Sequence, residues 1–152
     1  MRLAEDIIHF FQGQGCVVVA TIDKNGLPHT SCKSIVKIED SGRVYLLDAY
    51  HGVTYKNLIE NTSSSITVFD EHKFIGYCLK GEARLIHKDE LDVDIVKAWE
   101  DRITSRLTER LLNNIHEEKG HKGHPEASLP KPQYMIVLDV SEVVDLTPAH
   151  LK

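Results

Sequence analysis

Cys16-Val17-Val18-Val19-Ala20-Thr21-Ile22-Asp23-Lys24-Asn25-Gly26-Leu27-Pro28-His29-Thr30-Ser31-Cys32-Lys33-Ser34 is the stretch that decides the fold. Two extended runs flank Lys24-Asn25-Gly26, and Asn-Gly accepts positive φ at both positions of a two-residue turn. A β-hairpin is therefore predicted, with Cys16–Asp23 as one strand and His29–Ile38 as its return. The chain turns again at Glu39-Asp40-Ser41-Gly42 into a third run, Arg43-Val44-Tyr45-Leu46-Leu47-Asp48-Ala49. His51-Gly52-Val53-Thr54-Tyr55-Lys56-Asn57-Leu58-Ile59-Glu60-Asn61 follows, in which Thr54–Asn61 forms about two helical turns with Thr54 placed as the N-cap. Lys33, Thr54 and Lys56 bring ammonium groups and a hydroxyl beside free backbone donors, a set that suits a phosphorylated ligand.

Outward from that block, Leu3, Ile7, Ile8, Phe10 and Phe11 predict an amphipathic helix over residues 3–12, ended by Gly13 and Gly15. Ser64–Phe69 and Phe74–Ile86 are two further strands around Asp70-Glu71-His72-Lys73. In the second, Ile75, Tyr77, Leu79, Gly81, Ala83 and Leu85 share one face. Residues 89–115 form the longest helix, with Leu91, Ile95, Trp99, Ile103, Leu107, Leu111 and Ile115 four apart. A four-residue row drifts around a 3.6-residue helix, so this apolar band spirals or the helix bends near Thr104-Ser105. Residues 117–133 are polar and rich in Gly, Lys and Pro, a loop. Residues 133–146 are a last strand in which Tyr134, Ile136, Leu138 and Val140 alternate. The expected fold is mainly β with peripheral helices: a single domain over 1–152, built as a six-stranded antiparallel barrel, which leaves no exposed sheet edge.

Composition narrows the function classes. An apolar fraction of 41% and a charged fraction of 27% predict a soluble globular chain rather than a disordered one. No apolar run approaches the roughly 18 residues a membrane span needs. The acidic start, Glu5 and Asp6, lacks the pattern of a secretory signal, so a cytoplasmic location is expected. Eighteen Lys and Arg against 23 Asp and Glu give a net charge of −5. With no basic patch in view, that argues against nucleic acid as a partner. Cys16, Cys32 and Cys78 are odd in number and far apart in sequence, and are expected as buried thiols.

The order of these segments resembles the FMN-binding split-barrel family, the group of pyridoxamine-phosphate oxidase-like proteins. The likeness runs over about residues 15–86 and again over 130–140. It rests on Val19-Ala20-Thr21-Ile22-Asp23 followed by Gly26-Leu27-Pro28-His29-Thr30-Ser31, and on Val44-Tyr45-Leu46-Leu47-Asp48. Thr54-Tyr55-Lys56-Asn57-Leu58 matches the family's Ser/Thr-x-Lys/Arg-x-Asn-Leu segment, and Gly76-Tyr77-Cys78-Leu79-Lys80-Gly81-Glu82-Ala83 its Gly-x-x-x-Lys/Arg-Gly-x-Ala strand. The resemblance implies a homodimer that binds FMN at its interface and acts as a flavin-dependent oxidoreductase on a small electron donor or acceptor. Thr30, Ser31, Cys32, Lys33 and Ser34, with Leu47, Asp48 and Ala49, would lie along the ring system and ribityl chain. Thr54 and Lys56 would hold the phosphate, with Asn57 on the same helix and Lys33 as a further candidate. The chain ends Asp145-Leu146-Thr147-Pro148-Ala149-His150-Leu151-Lys152, without the Arg-containing substrate motif of vitamin B6 oxidases, so only the cofactor site carries over.

Other readings stay open. The same barrel could serve as a non-catalytic flavin carrier or electron-transfer module, or hold haem or a deazaflavin. Lys33 and Lys56 taken alone read as solvated lysines. Trp99 reads as packing, with a dimer contact or a cover over the flavin as its alternatives. His29 and His51 flank the predicted site. His116, His121 and His124, with Glu117 and Glu118, fit no metal-ligand spacing and read as a solvated loop. No nucleophilic triad or catalytic carboxylate pair is legible.

Overall fold

The computed structural model describes residues 1–48, 50–115 and 133–151. Six strands, β1 (Val17–Ile22), β2 (Pro28–Ile38), β3 (Arg43–Leu47), β4 (Ser63–Asp70), β5 (Ile75–His87) and β6 (Tyr134–Asp145), close into an antiparallel barrel in the order β1-β2-β3-β6-β5-β4. Among the described residues three α-helices accompany it: α1 (Glu5–Gln12), α2 (Val53–Glu60) and α3 (Val93–Ile115). Among the described residues, no helix is long and apolar enough to cross a membrane.

Period-two alternation fills the barrel. Val17 and Val19 of β1, Val44 and Leu46 of β3, Ile66 and Val68 of β4, Leu79 and Ala83 of β5, and Ile136, Leu138 and Val140 of β6 form one buried interior cluster. Tyr77 and Leu85 pack against it, as their shared face predicts. Phe11 and Leu3 join the cluster from the N-terminal segment, anchored where the Leu3 N–H donates to the Asp40 carbonyl at 2.9 Å. The helix is shorter than predicted: it begins at Glu5, and Leu3 precedes it.

Two β-bulges set which side chains face in. In β2, Ile35 pairs with Leu46 and Lys37 with Tyr45, so Val36 is an extra residue. Ile35 and Ile38 consequently both enter the interior, while Val36 faces the outer layer. In β6, Ser141 is the extra residue between the pairs Lys80–Glu142 and Gly81–Val140. Gly81 is required there, because a Cβ at this position would collide with the Asp139 carbonyl oxygen.

The first hairpin differs from the predicted two-residue turn. Gly26 has φ +80, while Asn25 has no positive φ. The Gly26 N–H donates to the Asp23 carbonyl at 3.0 Å and the Asp23 N–H to the Leu27 carbonyl at 2.9 Å. This is a three-residue loop with a left-handed glycine at its end. The Asp23 carboxylate selects it by accepting from the Asn25 and Leu27 N–H groups at 2.8 and 2.9 Å.

Outside the barrel, α3 covers a second cluster of Tyr45, Ile95, Met135 and Val137, with Val36, Ile86, Leu91 and Trp99 around it. The helix starts at Val93, after a 3-10 turn over Lys88–Glu90, later than the predicted residue 89. Burial falls off along its apolar side: Ile95 is buried, whereas Leu111 and Leu112 are half exposed. Trp99 belongs to the packed cluster, and its indole Nε1 is buried without a hydrogen-bond partner among the described residues.

The thiols contradict the buried expectation. Cys16 and Cys32 are exposed and Cys78 is intermediate. The His116, His121 and His124 segment and Ala49 lie outside the described residues; among those described, no cluster of His, Cys, Asp and Glu could hold a metal ion.

Candidate cofactor site

The run Thr30–Ser34 divides by strand parity into two sets. His29, Ser31 and Lys33 stand opposite the inward-facing Thr21, Val19 and Val17 of β1; Thr30 and Cys32 stand opposite the outward-facing Ala20 and Val18. Ser34 pairs with Leu47 on that outer side, where both are buried. Ser31, Lys33, Asp48, Thr54 and Asn57 therefore converge on one polar group, while Thr30, Cys32, Ser34 and Leu47 sit on the other face of the sheet.

The inner group centres on α2. Its face of Thr54, Asn57 and Leu58, spaced i, i+3, i+4, is buried against the barrel. Leu58 enters the apolar interior. The Thr54 hydroxyl lies 2.9 Å from that of Ser31. Asn57 Nδ2 donates to the Thr21 hydroxyl at 3.0 Å, a fully buried polar pair. Thr54 is thus not the N-cap. Gly52 occupies that position and supplies no side-chain cap, while Thr54 turns inward. Lys56 reaches Gly52 only through its backbone N–H, and its side chain is exposed. Consequently the N–H groups of Val53, Thr54 and Tyr55 have no intrahelical acceptor.

Asp48 is the most buried charge in this region. Its Oδ1 is 2.8 Å from Lys33 Nζ, with side-chain exposures of 1% for Asp48 and 15% for Lys33. Oδ2 accepts from the Tyr134 hydroxyl at 2.6 Å. In the sequence Tyr134 shows only as one of the alternating residues of the last strand. Burial, and then its hydrogen bond to the Asp48 carboxylate, push the Tyr134 phenol well above its usual value. The hydroxyl also lies 3.0 Å from the Tyr50 carbonyl oxygen. Tyr134 forms a ring cluster with Tyr55 and His51, with centroids 4.7 Å from Tyr55 and 5.0 Å from His51. These contacts are 15 and 86 residues apart in the chain for Asp48 with Lys33 and with Tyr134. No local pattern could reveal them.

The donor set fits a phosphate dianion. Among the described residues it combines helix-start N–H groups without an intrahelical acceptor and the hydroxyls of Ser31 and Thr54, while Lys56, two residues on, is exposed on another face of the same turn. The Asp48 carboxylate is ion-paired with Lys33 and accepts from the Tyr134 hydroxyl, which reduces its opposition to an anion there.

Comparison with known proteins places the fold. Among solved structures, HupZ from Group A Streptococcus is 16% identical, with 95% of this chain and 94% of that chain covered and a TM-score of 0.66. A pyridoxamine 5'-phosphate oxidase-related, FMN-binding protein from Nostoc punctiforme is also 16% identical, covering 94% of this chain and 84% of that one, with a TM-score of 0.57. HutZ, the haem storage protein of Vibrio cholerae, is 18% identical over 95% and 94% of the two chains, at a TM-score of 0.54. At these identities the three establish a shared fold. No curated protein sequence matches the chain. The sequence profile of pyridoxamine 5'-phosphate oxidase matches residues 3–145. By that match and by its split barrel, the chain belongs to the pyridoxamine 5'-phosphate oxidase-like family of FMN-binding split-barrel proteins.

Proposed function

We propose that this protein binds FMN and works as a cytoplasmic, homodimeric FMN-dependent oxidoreductase with its flavin site at the dimer interface. The observation that carries the reading is the uncapped start of α2, where the buried Thr54 hydroxyl touches Ser31 and Lys56 is exposed on the same helical turn. Thr54, Ser31 and the helix-start N–H groups would orient the phosphate, and Lys56 would balance its charge. Lys33 is committed to Asp48, so its part is to pair that buried carboxylate's charge rather than to meet the phosphate. Bound flavin supplies hydride and electron transfer, which explains why no acid–base constellation is needed from the chain. Its electrons would come from a reduced nicotinamide or another small donor.

The test is the absorbance of the purified protein, followed by titration with FMN and with riboflavin, read by flavin fluorescence. FMN should bind at least about tenfold tighter than riboflavin, since charge-assisted phosphate contacts are worth about 1.5–3 kcal/mol each. Lys56→Ala should remove most of that difference. Equal affinity for both flavins would sink the phosphate assignment, and failure to bind either would sink the flavin reading. A Soret band in place of flavin absorbance would move the assignment to haem. After anaerobic reduction, fast reoxidation by a small acceptor identifies a catalyst, and its absence identifies a carrier. Sedimentation of the loaded protein as a monomer would overturn the interface.

A further inference from the structure

The β1–β2 hairpin brings together two cysteines that are remote in sequence. Cys32 stands directly opposite Val18, and Cys16 is one residue before Val17, so the two thiols are diagonal neighbours on the outer face of the sheet. Both are exposed, and burial together with the neighbouring Cys32 thiol raises the Cys16 thiol. A diagonal pair starts slightly too far apart for a disulfide, at roughly 7 Å against a usual Cα separation of at most about 6.8 Å. The remaining gap closes at Cys16, which precedes the first ladder residue and follows Gly15. Its backbone is not fixed by strand pairing.

Beside this pair runs a cleft of about 730 Å³ between α3 and the segment Gln12–Cys16. Arg102 and Arg106 line it together with Cys16, and Glu109 is the acidic group in its wall. Arg102 Nη2 donates to the Gln14 carbonyl at 2.9 Å and an Arg106 Nη2 to the Gly15 carbonyl, which fixes both guanidinium groups at the cleft. Each guanidinium carries five N–H donors, so most remain for a ligand. Arg102 Nε in particular is buried and has no partner among the described residues. Burial, and then the like charge of Arg106, hold Arg102 below its usual value, a stress that an anion between them would relieve.

We propose that Cys16 and Cys32 form a reversible disulfide, made and broken by exchange with small anionic disulfides that dock on Arg102 and Arg106. The Cys32 sulfur, as thiolate, attacks one sulfur of the incoming disulfide. A new S–S bond forms, and the other half leaves as a thiolate that takes up a proton. Cys16 then gives up its proton and attacks the Cys32 sulfur. This closes the internal S–S bond and releases the second thiol. Two protein thiols are oxidised by two electrons, and one small disulfide is reduced to two thiols. Burial, then the neighbouring thiol, raise the Cys16 thiol while Arg106 lowers it, which suits Cys16 to the second, intramolecular step. The site lies on the opposite face of β2 from Ser31 and Lys33, so its test reads separately from the phosphate contacts.

The full-length reduced protein is incubated with glutathione disulfide, which carries carboxylates, or with cystamine, which carries only amines. The products are alkylated and read by intact mass and peptide mapping. Glutathione disulfide should remove two hydrogens from the protein and link the Cys16 and Cys32 peptides, leaving Cys78 alkylated. Cystamine should react roughly tenfold more slowly, a difference that shrinks with added salt. Cys16→Ser should stop at a glutathione adduct on Cys32. Arg106→Gln should narrow the gap between the two oxidants, and the wild-type comparison stands even where that variant loosens α3. Thiols that remain fully alkylatable, or a link that involves Cys78 or a second copy, overturn the disulfide. Equal rates with the two oxidants overturn the role of the arginines.

Discussion

Replacing Lys33 with methionine keeps the length of the side chain and removes the cation beside Asp48. The Asp48 carboxylate is 1% exposed and the Lys33 side chain 15% exposed, at 2.8 Å from each other. At an effective dielectric of about 20, the attraction across that distance is roughly 6 kcal/mol before desolvation is counted. Breaking a buried pair by removing one member typically costs about 3–5 kcal/mol, because the surviving charge has no water to turn to. Here the Tyr134 hydroxyl at 2.6 Å still donates to the carboxylate. The lower end, about 3 kcal/mol, is therefore expected for K33M in urea unfolding near neutral pH. Asp48→Asn should cost less, about 1–2 kcal/mol, since the partly exposed Lys33 ammonium can reach water. The double variant should be more stable than K33M alone, because it no longer buries an unpaired charge. The reasoning fails if K33M costs under about 1 kcal/mol, or if the two losses simply add.

Thr54→Val should lower stability by about 1 kcal/mol, through the loss of the Ser31 contact, and weaken FMN about tenfold in a fluorescence titration. Asn57→Leu should cost about 1–3 kcal/mol in urea unfolding, because it leaves the buried Thr21 hydroxyl without its partner. Gly81→Ala should cost about 1–3 kcal/mol by pushing β5 off the Asp139 carbonyl, seen as a fall in Tm of about 2–4 °C per kcal/mol. Tyr134 has a raised pKa in the folded state, so the fold retains its proton longer than the unfolded chain does. Its contribution is complete below the unfolded tyrosine value near 10 and is lost as pH rises through the folded value. Phenolate absorbance should show one tyrosine of the five that stays un-ionised until the protein unfolds, and Tyr134→Phe should abolish that component.

Strand alternation was readable because each strand buries one face, and the interior residues of β5 and β6 fall where the period of two puts them. The turn between β1 and β2 was not readable, and the error propagates. A two-residue Asn25-Gly26 turn would have paired Cys32 with Val19 and hidden it in the core. The three-residue loop selected by Asp23 pairs Cys32 with Val18 and exposes it. Thr54 carried a real signal, but two uses of one hydroxyl compete at a helix start, and only the position of Ser31 across the barrel decides for the inward one. The apolar row of α3 was correct as a pattern and silent about its extent. Among the described residues, Ile95 is buried with Leu91 and Trp99 around it, while Leu111 and Leu112 are half exposed. Tyr134 joins Asp48 across 86 residues, and the bulge at Val36 exists only because β3 pairs on both sides of it. Both depend on tertiary neighbours.

That bulge has a consequence for how such a chain can diverge. Val36 is the phase-setter of β2. With it in place, the half that bears Ser31 and Lys33 and the half that bears Ile38 can both keep their inward orientation. Deleting this one residue would force a choice between expelling Ile38 from the interior and turning Ser31 and Lys33 outward, with Cys32 rotated inward in their place. A single-codon deletion would therefore exchange one side of the strand for the other without altering any of the residues that give each side its chemistry.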